Sequence, residues 1–76
     1  MFVYFNAEDA QVKLSIDSKV IGYADNAKQL ANLLRSNNVT AEQEMYFSSS
    51  VDFASEEGFA NDNAAHDIIE SAVAML

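Results

Sequence analysis

Apolar residues in the first quarter of the chain predict three β-strands. Residues 1–5 form an unbroken run rich in aromatic and β-branched types, bounded by Asn6, and this length and composition favour a strand. Residues 12–17 alternate between apolar and polar types, which is typical of a strand with one solvated face. A tight turn at 17–19 and a further extended pattern at 20–23 follow. The pattern therefore predicts an antiparallel meander.

A helical repeat of leucines follows these strands. Leu30, Leu33 and Leu34 recur at the spacing of one helix face. Asp25 is the predicted N-cap, because its carboxylate can accept hydrogen bonds from the free N–H groups of the first turn. The asparagines at 37–38 tolerate the left-handed backbone of a helix end, so a helix of about twelve residues, an ordinary length, is expected to stop there.

The second half of the chain predicts one more strand and one more helix. Residues 44–49 form the strand, and residues 61–63 offer several N-caps for the helix. Between them, residues 51–59 look irregular, with room for a single helical turn ended by Gly58. The last helix has an apolar stripe of 3.6-residue period: Ala65, Ile68, Ile69, Ala72, Val73 and Leu76. The predicted order is βββαβα, an α+β fold in which residues 1–76 form a single domain, with an antiparallel sheet and two helices on one face.

Composition excludes several kinds of site. The chain has no Cys, which rules out a disulfide scaffold, a thiolate zinc site and a thiol nucleophile. It has no Pro and two Gly, so a glycine-rich phosphate loop is ruled out as well. No stretch approaches the ~20 apolar residues of a membrane span, and residues 1–15 lack the basic segment of a signal peptide. We therefore expect a cytoplasmic protein with no cofactor and no membrane partner.

Acidic residues are distributed unevenly. The net charge is −8, yet residues 1–35 hold equal numbers of acids and bases, whereas residues 36–76 hold eight acids and no Lys or Arg. A surface that serves solubility alone normally mixes both signs, so the asymmetry favours an electrostatic binding face over that simpler interpretation. The four cations are too few and too scattered for direct nucleic-acid binding. The acids expected to form the face are Asp52, Glu56, Glu57, Asp62, Asp67 and Glu70.

Two other arrangements of polar residues have the residue types of a metal site or a catalytic site. Asp62, His66 and Glu70 recur every four residues along the last helix, and their nitrogen and oxygen atoms could ligate a divalent metal. However, three ligands on one unsupported helix face are weak evidence for a metal site. An exposed histidine flanked by acids is the better interpretation. The serines at 48–50 could pair with His66, but the strained Gly-x-Ser-x-Gly turn of a serine nucleophile is absent. We expect neither a metal site nor a catalytic site.

Aromatic residues cluster on the predicted strands. Because alternate strand residues face opposite sides, helices on one face of the sheet should leave one set of these rings near solvent. Ordinary cross-strand pairing is the plainer interpretation, and an anchor patch in a protein interface is the functional one. The candidate anchors are Tyr23 and Tyr46.

In its size, charge, lack of Cys and Pro and mixed α+β order, the chain resembles the small acidic inhibitors of phages, including anti-CRISPR proteins and DNA mimics. The resemblance rests on no motif and assigns no residue. It implies a non-enzymatic, stoichiometric inhibitor that binds a basic nucleic-acid-handling protein, in the host cytoplasm if the chain is phage-encoded. Bacteriocin immunity proteins share the profile. A different alternative is a small homo-oligomeric or adaptor domain, such as a homodimer, that uses exposed sheet aromatics or a free strand edge.

Overall fold

The computed structural model describes residues 1–8, 11–48 and 56–76, with side chains at 1–7, 11–47 and 64–76. Its elements are β1 (Val3–Glu8), β2 (Gln11–Ile16), β3 (Lys19–Ala24), α1 (Ala27–Ser36), β4 (Met45–Ser48) and α2 (Glu56–Ala74). The predicted α+β class and βββαβα order are confirmed.

The four strands form one sheet in the order β3-β2-β1-β4. Strand β2 pairs antiparallel with both β1 and β3, whereas β4 pairs in parallel with β1. The sheet is therefore mixed, and the prediction of an antiparallel sheet was wrong for its last strand. The reason lies in the connection, because α1 runs back along the sheet between β3 and β4 and returns the chain to the end at which β3 began.

Strand β1 begins and ends later than predicted. Its bounds are Val3–Glu8 rather than 1–5, so Asn6 lies inside the strand instead of ending it. The backbone of Phe2 is held in place before the strand begins, by the turn between β2 and β3. Its N–H donates to Asp17 Oδ1, and its carbonyl accepts from the Asp17 N–H, both at 2.8 Å.

That turn has two residues, Asp17 and Ser18, with φ of 52° and 68°. Positive φ at both positions is the type I′ geometry, whose twist matches that of the flanking strands. The tight turn predicted here is confirmed. Because Asp17 also holds Phe2, the start of the chain lies beside the β2–β3 turn on the sheet.

Both helices cover the same face of the sheet. Helix α1 contacts β3, α2 contacts β1 and β2, and the helices contact each other. Alternate strand residues fill the space between the layers, while their neighbours in sequence face the other side. The buried residues are Val3, Phe5, Ala7, Val12, Leu14, Ala24, Leu30, Ala31, Leu34, Val39, Ala65 and Ala72. In the described part of the chain, no element covers the opposite side of the sheet, which we call the open face.

The N-cap of α1 is Asn26 rather than the predicted Asp25. The Asn26 side chain accepts from the Gln29 N–H at 2.9 Å, and the Gln29 side chain accepts in turn from the Asp25 N–H at 2.8 Å. The Asp25 carboxylate is engaged elsewhere, since it accepts from Gln11 Nε2 at the start of β2. The predicted helix end is confirmed, because α1 stops at Ser36 and left-handed backbone follows at residue 38 (φ 63°).

Helix α2 begins earlier than the sequence predicted. It starts at Glu56 and continues through Gly58, whereas its N-cap was expected at 61–63. Asparagine and glycine favour helix ends, but propensities of ~1 kcal/mol or less are overridden when a helix is supported by packing. At its other end, where α2 lacks a basic residue, the Arg35 guanidinium donates to the carbonyl of Met75.

Neither helix of the described chain has the length and apolar character needed to cross a membrane.

Candidate protein-binding surfaces

One helix carries most of the acids predicted to form a binding face. The sequence of α2 contains Glu56, Glu57, Asp62, Asp67 and Glu70 and no Lys or Arg. Nineteen helical residues span about 28 Å. Asp52 lies outside the described residues, and so do the side chains of the three acids at 56, 57 and 62.

The two described acids of α2 are exposed and lie together. Asp67 and Glu70 are solvent-exposed, and His66 Nδ1 lies 3.6 Å from the Glu70 carboxylate. Side-chain atoms of His66, Asp67 and Glu70 come within 4.8 Å of one another. These atom types can ligate a divalent cation, but all three residues are exposed, and exposed acidic groups commonly meet in this way. The metal stripe considered from the sequence paired His66 and Glu70 with Asp62, whose side chain is outside the described part.

The two candidate tyrosine anchors lie on the open face, away from α2. The register pairs Tyr46 with Tyr4, and Tyr23 with Lys13, all at positions opposite to the buried set. Tyr23 and Tyr46 occupy the two edge strands, and their registers differ by two residues, since Tyr23 is level with Asn6 and Tyr46 with Tyr4. Their backbones are therefore roughly 16 Å apart at the usual strand spacing. Among the described residues, the structure therefore does not bring the acids Asp67 and Glu70 together with the two tyrosines. It separates them into an acidic helix on one layer and aromatic side chains on the other.

Tyr46 belongs to a group of three stacked rings on the open face. The Phe2 ring lies 4.7 Å from Tyr46 and 5.9 Å from Tyr4, with interplanar angles of 16° and 19°. We call Phe2, Tyr4 and Tyr46 the aromatic stack. Phe2 is 46% exposed and Tyr46 39%. Sequence reasoning missed Phe2 as a site residue, although its two-residue spacing from Tyr4 indicates a shared face of one strand.

A carboxylate lies at the β4 side of the aromatic stack. The Tyr46 hydroxyl donates a hydrogen bond to Glu44, and this bond raises the pKa of the phenol above its usual 10.0. Desolvation and the negative charge of Glu44 raise the Tyr46 pKa further. Glu44 was not among the predicted site residues, because its proximity to the ring depends on how the chain enters β4.

A hollow lies on the other side of the aromatic stack, against the β2–β3 turn. Its volume is about 250 Å³, and it is lined by Phe2, Tyr4, Ser15 and Ser18. Two of these residues provide aromatic rings and two provide hydroxyl groups. Asp17 lies between Ser18 and the backbone of Phe2, which it binds through Oδ1. The open face thus combines apolar rings, hydroxyl acceptors and carboxylates within a few strand positions.

We expect Glu44→Gln to lower the Tyr46 pKa towards its ordinary value. The substitution removes the charge that favours the protonated phenol and weakens the hydrogen bond that the phenol donates. NMR titration of the Tyr46 ring measures the change, with Glu42→Gln as a control in the preceding loop. Since the folded pKa lies above the unfolded one, this bond stabilises the fold below pH 10, and its contribution is lost as the pH rises through the Tyr46 pKa. An unchanged titration midpoint in Glu44→Gln would contradict the assigned bond.

Comparison with known proteins identifies no relative of this chain. No family model matches the chain, and neither a curated protein nor a solved structure matches it.

Proposed function

We propose that the protein is a non-enzymatic, stoichiometric inhibitor of the anti-CRISPR or DNA-mimic kind, which uses α2 to bind a basic, nucleic-acid-handling protein or complex in the cytoplasm. The observation that carries this proposal is the composition of one helix. Five acids and no Lys or Arg occupy α2, and both of its described acids are exposed.

Uncompensated acids of this kind cost stability in the isolated protein. Asp67 and Glu70 are neighbours on the helix surface, where like charges repel by a few tenths of a kcal/mol. A cationic partner removes this repulsion, and its field accelerates the encounter at low salt. The absence of Lys and Arg from residues 36–76 leaves these acids without a cation close in sequence to offset them, which favours a basic partner.

The charge density of α2 falls below that of a nucleic acid. A duplex of the same ~28 Å length carries roughly sixteen phosphate charges, compared with five carboxylates on the helix. Charge alone therefore provides orientation and a fast encounter, and the affinity must also come from packed contacts. We infer that the acidic helix steers the protein towards a basic groove and that shape and apolar contacts hold it there.

The exposure of the titratable groups supports binding rather than catalysis. His66 and Glu70 have side chains that are 56% and 68% exposed, on the outer surface of a helix. Catalytic acids and bases work best in concave sites that exclude water, which shift their pKa values towards the working pH. The protein is proposed to act by occupying its target in a one-to-one complex.

The homo-oligomeric alternative is favoured by a different observation, the exposure of Phe2 and Tyr46 on the open face. Two copies would then bury their aromatic rings against each other, at the cost of bringing together two chains of charge −8. Light scattering distinguishes the two functions. A dimer that persists at high salt and low concentration favours self-association, and a monomer under both conditions favours the inhibitor.

Affinity capture from a bacterial lysate at low and high salt tests the proposal. We expect a basic nucleic-acid-binding protein to be retained at low salt and released at high salt, because the Debye length falls from ~10 Å at 0.1 M to ~3 Å at 1 M. Purified partner should lose its bound nucleic acid when the protein is added. Capture of only acidic or neutral proteins, or retention that salt leaves unchanged, would contradict the proposal.

A further inference from the structure

The hollow beside the aromatic stack carries an inference of its own. We propose that this hollow binds an arginine side chain of a partner protein, with the guanidinium against the rings of Phe2 and Tyr4. The inference rests on the open face alone and does not require α2 to be a binding surface.

The lining of the hollow matches the chemistry of a guanidinium group. A planar cation gains by lying on an aromatic face, and its five N–H donors need acceptors around the plane. Phe2 and Tyr4 provide the rings, and Ser15 and Ser18 provide hydroxyl acceptors. An ammonium group lacks the planar shape that uses both features, so arginine fits better than lysine.

Charge around the hollow favours a cation. Asp17 lies in the adjoining turn, with Oδ1 bound to the Phe2 N–H, and its carboxylate is solvent-exposed. Glu44 adds a second negative charge beyond Tyr46, at the other side of the aromatic stack. On the same face, Lys13 lies two residues along β2 from Ser15, about 7 Å further and opposite Tyr23. The carboxylates therefore flank the aromatic stack itself, and Lys13 lies towards the far end of the sheet. Lys19 follows Ser18 but pairs with Ile16, which packs against the core on the helix side of the sheet.

The size of the hollow indicates a side chain rather than a small molecule. Its volume of about 250 Å³ is below the ~300–1,000 Å³ of pockets that enclose drug-sized ligands. Stacked rings can also bind nucleobases, but such sites use a positively charged groove to hold the phosphates. Asp17, Glu44 and a net charge of −8 oppose that ligand.

A second copy of the chain is a poor source of the arginine. Arg35 is the only arginine in the sequence, and its guanidinium donates to the carbonyl of Met75 at the end of α2. Inserting it into the hollow of another copy would break this link between the two helices. A different, basic protein is therefore the partner that the charge and the hollow fit.

The test uses three short blocked peptides that differ at one position, containing arginine, lysine or citrulline, titrated into the protein at low salt and followed by two-dimensional NMR. We expect the arginine peptide to shift the amide signals of Phe2, Tyr4, Ser15 and Ser18, with millimolar affinity. The citrulline peptide, which keeps the shape and loses the charge, should bind at least about tenfold more weakly, since a charge-assisted bond is lost. Lysine should bind less tightly than arginine.

Two conservative variants localise the site. Asp17→Asn keeps an oxygen for the Phe2 N–H and tolerates positive φ, and it removes the charge. Phe2→Leu keeps an apolar side chain and removes the ring. Each should weaken the arginine peptide about threefold or more. The double variant Asp67→Asn/Glu70→Gln should leave this binding unchanged, although it should weaken the association proposed for α2.

Several results would overturn the inference. They are equal binding of the arginine and citrulline peptides, equal binding of arginine and lysine, shifts confined to α2, or the same shifts with an oligothymidylate. Loss of peptide binding in the Asp67/Glu70 double variant alone would also overturn it, because the arginine would then bind at the acidic helix.

Discussion

Replacing Glu56, Glu57 and Asp67 with lysine together is expected to weaken association with a basic partner by roughly a hundredfold. Each replacement turns an attraction of about 0.5 kcal/mol, the size typical of a surface ion pair, into a repulsion of similar size. Three such changes sum to about 3 kcal/mol, and each 1.4 kcal/mol is tenfold in affinity. The loss should appear mainly in the association rate, because long-range attraction acts before contact.

A matched pair of substitutions separates the effect of where a charge lies from the effect of the net charge on binding. Asp67→Lys and Glu42→Lys change the net charge equally, and both residues are exposed. Asp67 lies on α2, whereas Glu42 lies in the loop between α1 and β4. Binding kinetics at several salt concentrations should show a slower association for Asp67→Lys and a smaller effect for Glu42→Lys. Circular dichroism checks that each variant keeps its helices.

The acidic-helix proposal fails if the triple variant remains folded and binds the captured partner as tightly as the wild type. It also fails if Glu42→Lys slows association as much as Asp67→Lys, because the net charge and not α2 would then direct binding. Testing both variants against the same purified partner gives an answer in either case.

The sequence predicts elements with local signals well. The alternation at 12–17 fixes both the existence and the solvated face of β2, because a period of two has no helical equivalent. The asparagines at 37–38 predict the end of α1 correctly, since few other residues tolerate left-handed backbone. These features depend on residues that are close in sequence, so a single amino-acid sequence is enough to predict them.

Features that depend on distant partners were missed or wrong. Asp25 and Asn26 are both good N-caps, and the choice between them follows from Gln11, which binds the Asp25 side chain from another strand. Helix α2 passes through Gly58, where the sequence predicted the end of a separate helical turn. The first of these is decided by a long-range bond, which outweighs local propensities of ~1 kcal/mol.

The two candidate surfaces also differ in whether local sequence predicts them. The charge asymmetry is a property of composition, and the concentration of acids on one helix follows from it once α2 is known. The aromatic stack requires the parallel register of β1 and β4, which places Tyr46 beside Tyr4. Because about half of the chain lies between the two strands, no local pattern predicts that Phe2 stacks against Tyr46.

Phe5→Ala is expected to lower the free energy of unfolding by about 3–5 kcal/mol, the usual cost of removing a buried phenyl ring. Phe5 is 1% exposed and lies in β1, between Leu14 of β2 and Phe47 of β4. A domain of this size has roughly 4–11 kcal/mol of stability. The variant should therefore lose a large part of its stability and unfold at a much lower denaturant concentration.

Phe2→Ala provides a matched control on the open face. It removes the same ring, but Phe2 is 46% exposed and contributes to the aromatic stack rather than to the core. We expect a cost of about 1 kcal/mol, from lost stacking and partial burial. Urea denaturation should give a much lower midpoint for Phe5→Ala than for Phe2→Ala. The slope of the unfolding free energy against urea should be nearly unchanged in both variants. Equal losses in the two variants would mean that the open face is covered in solution, because only a second buried layer makes the Phe2 ring as costly to remove as that of Phe5.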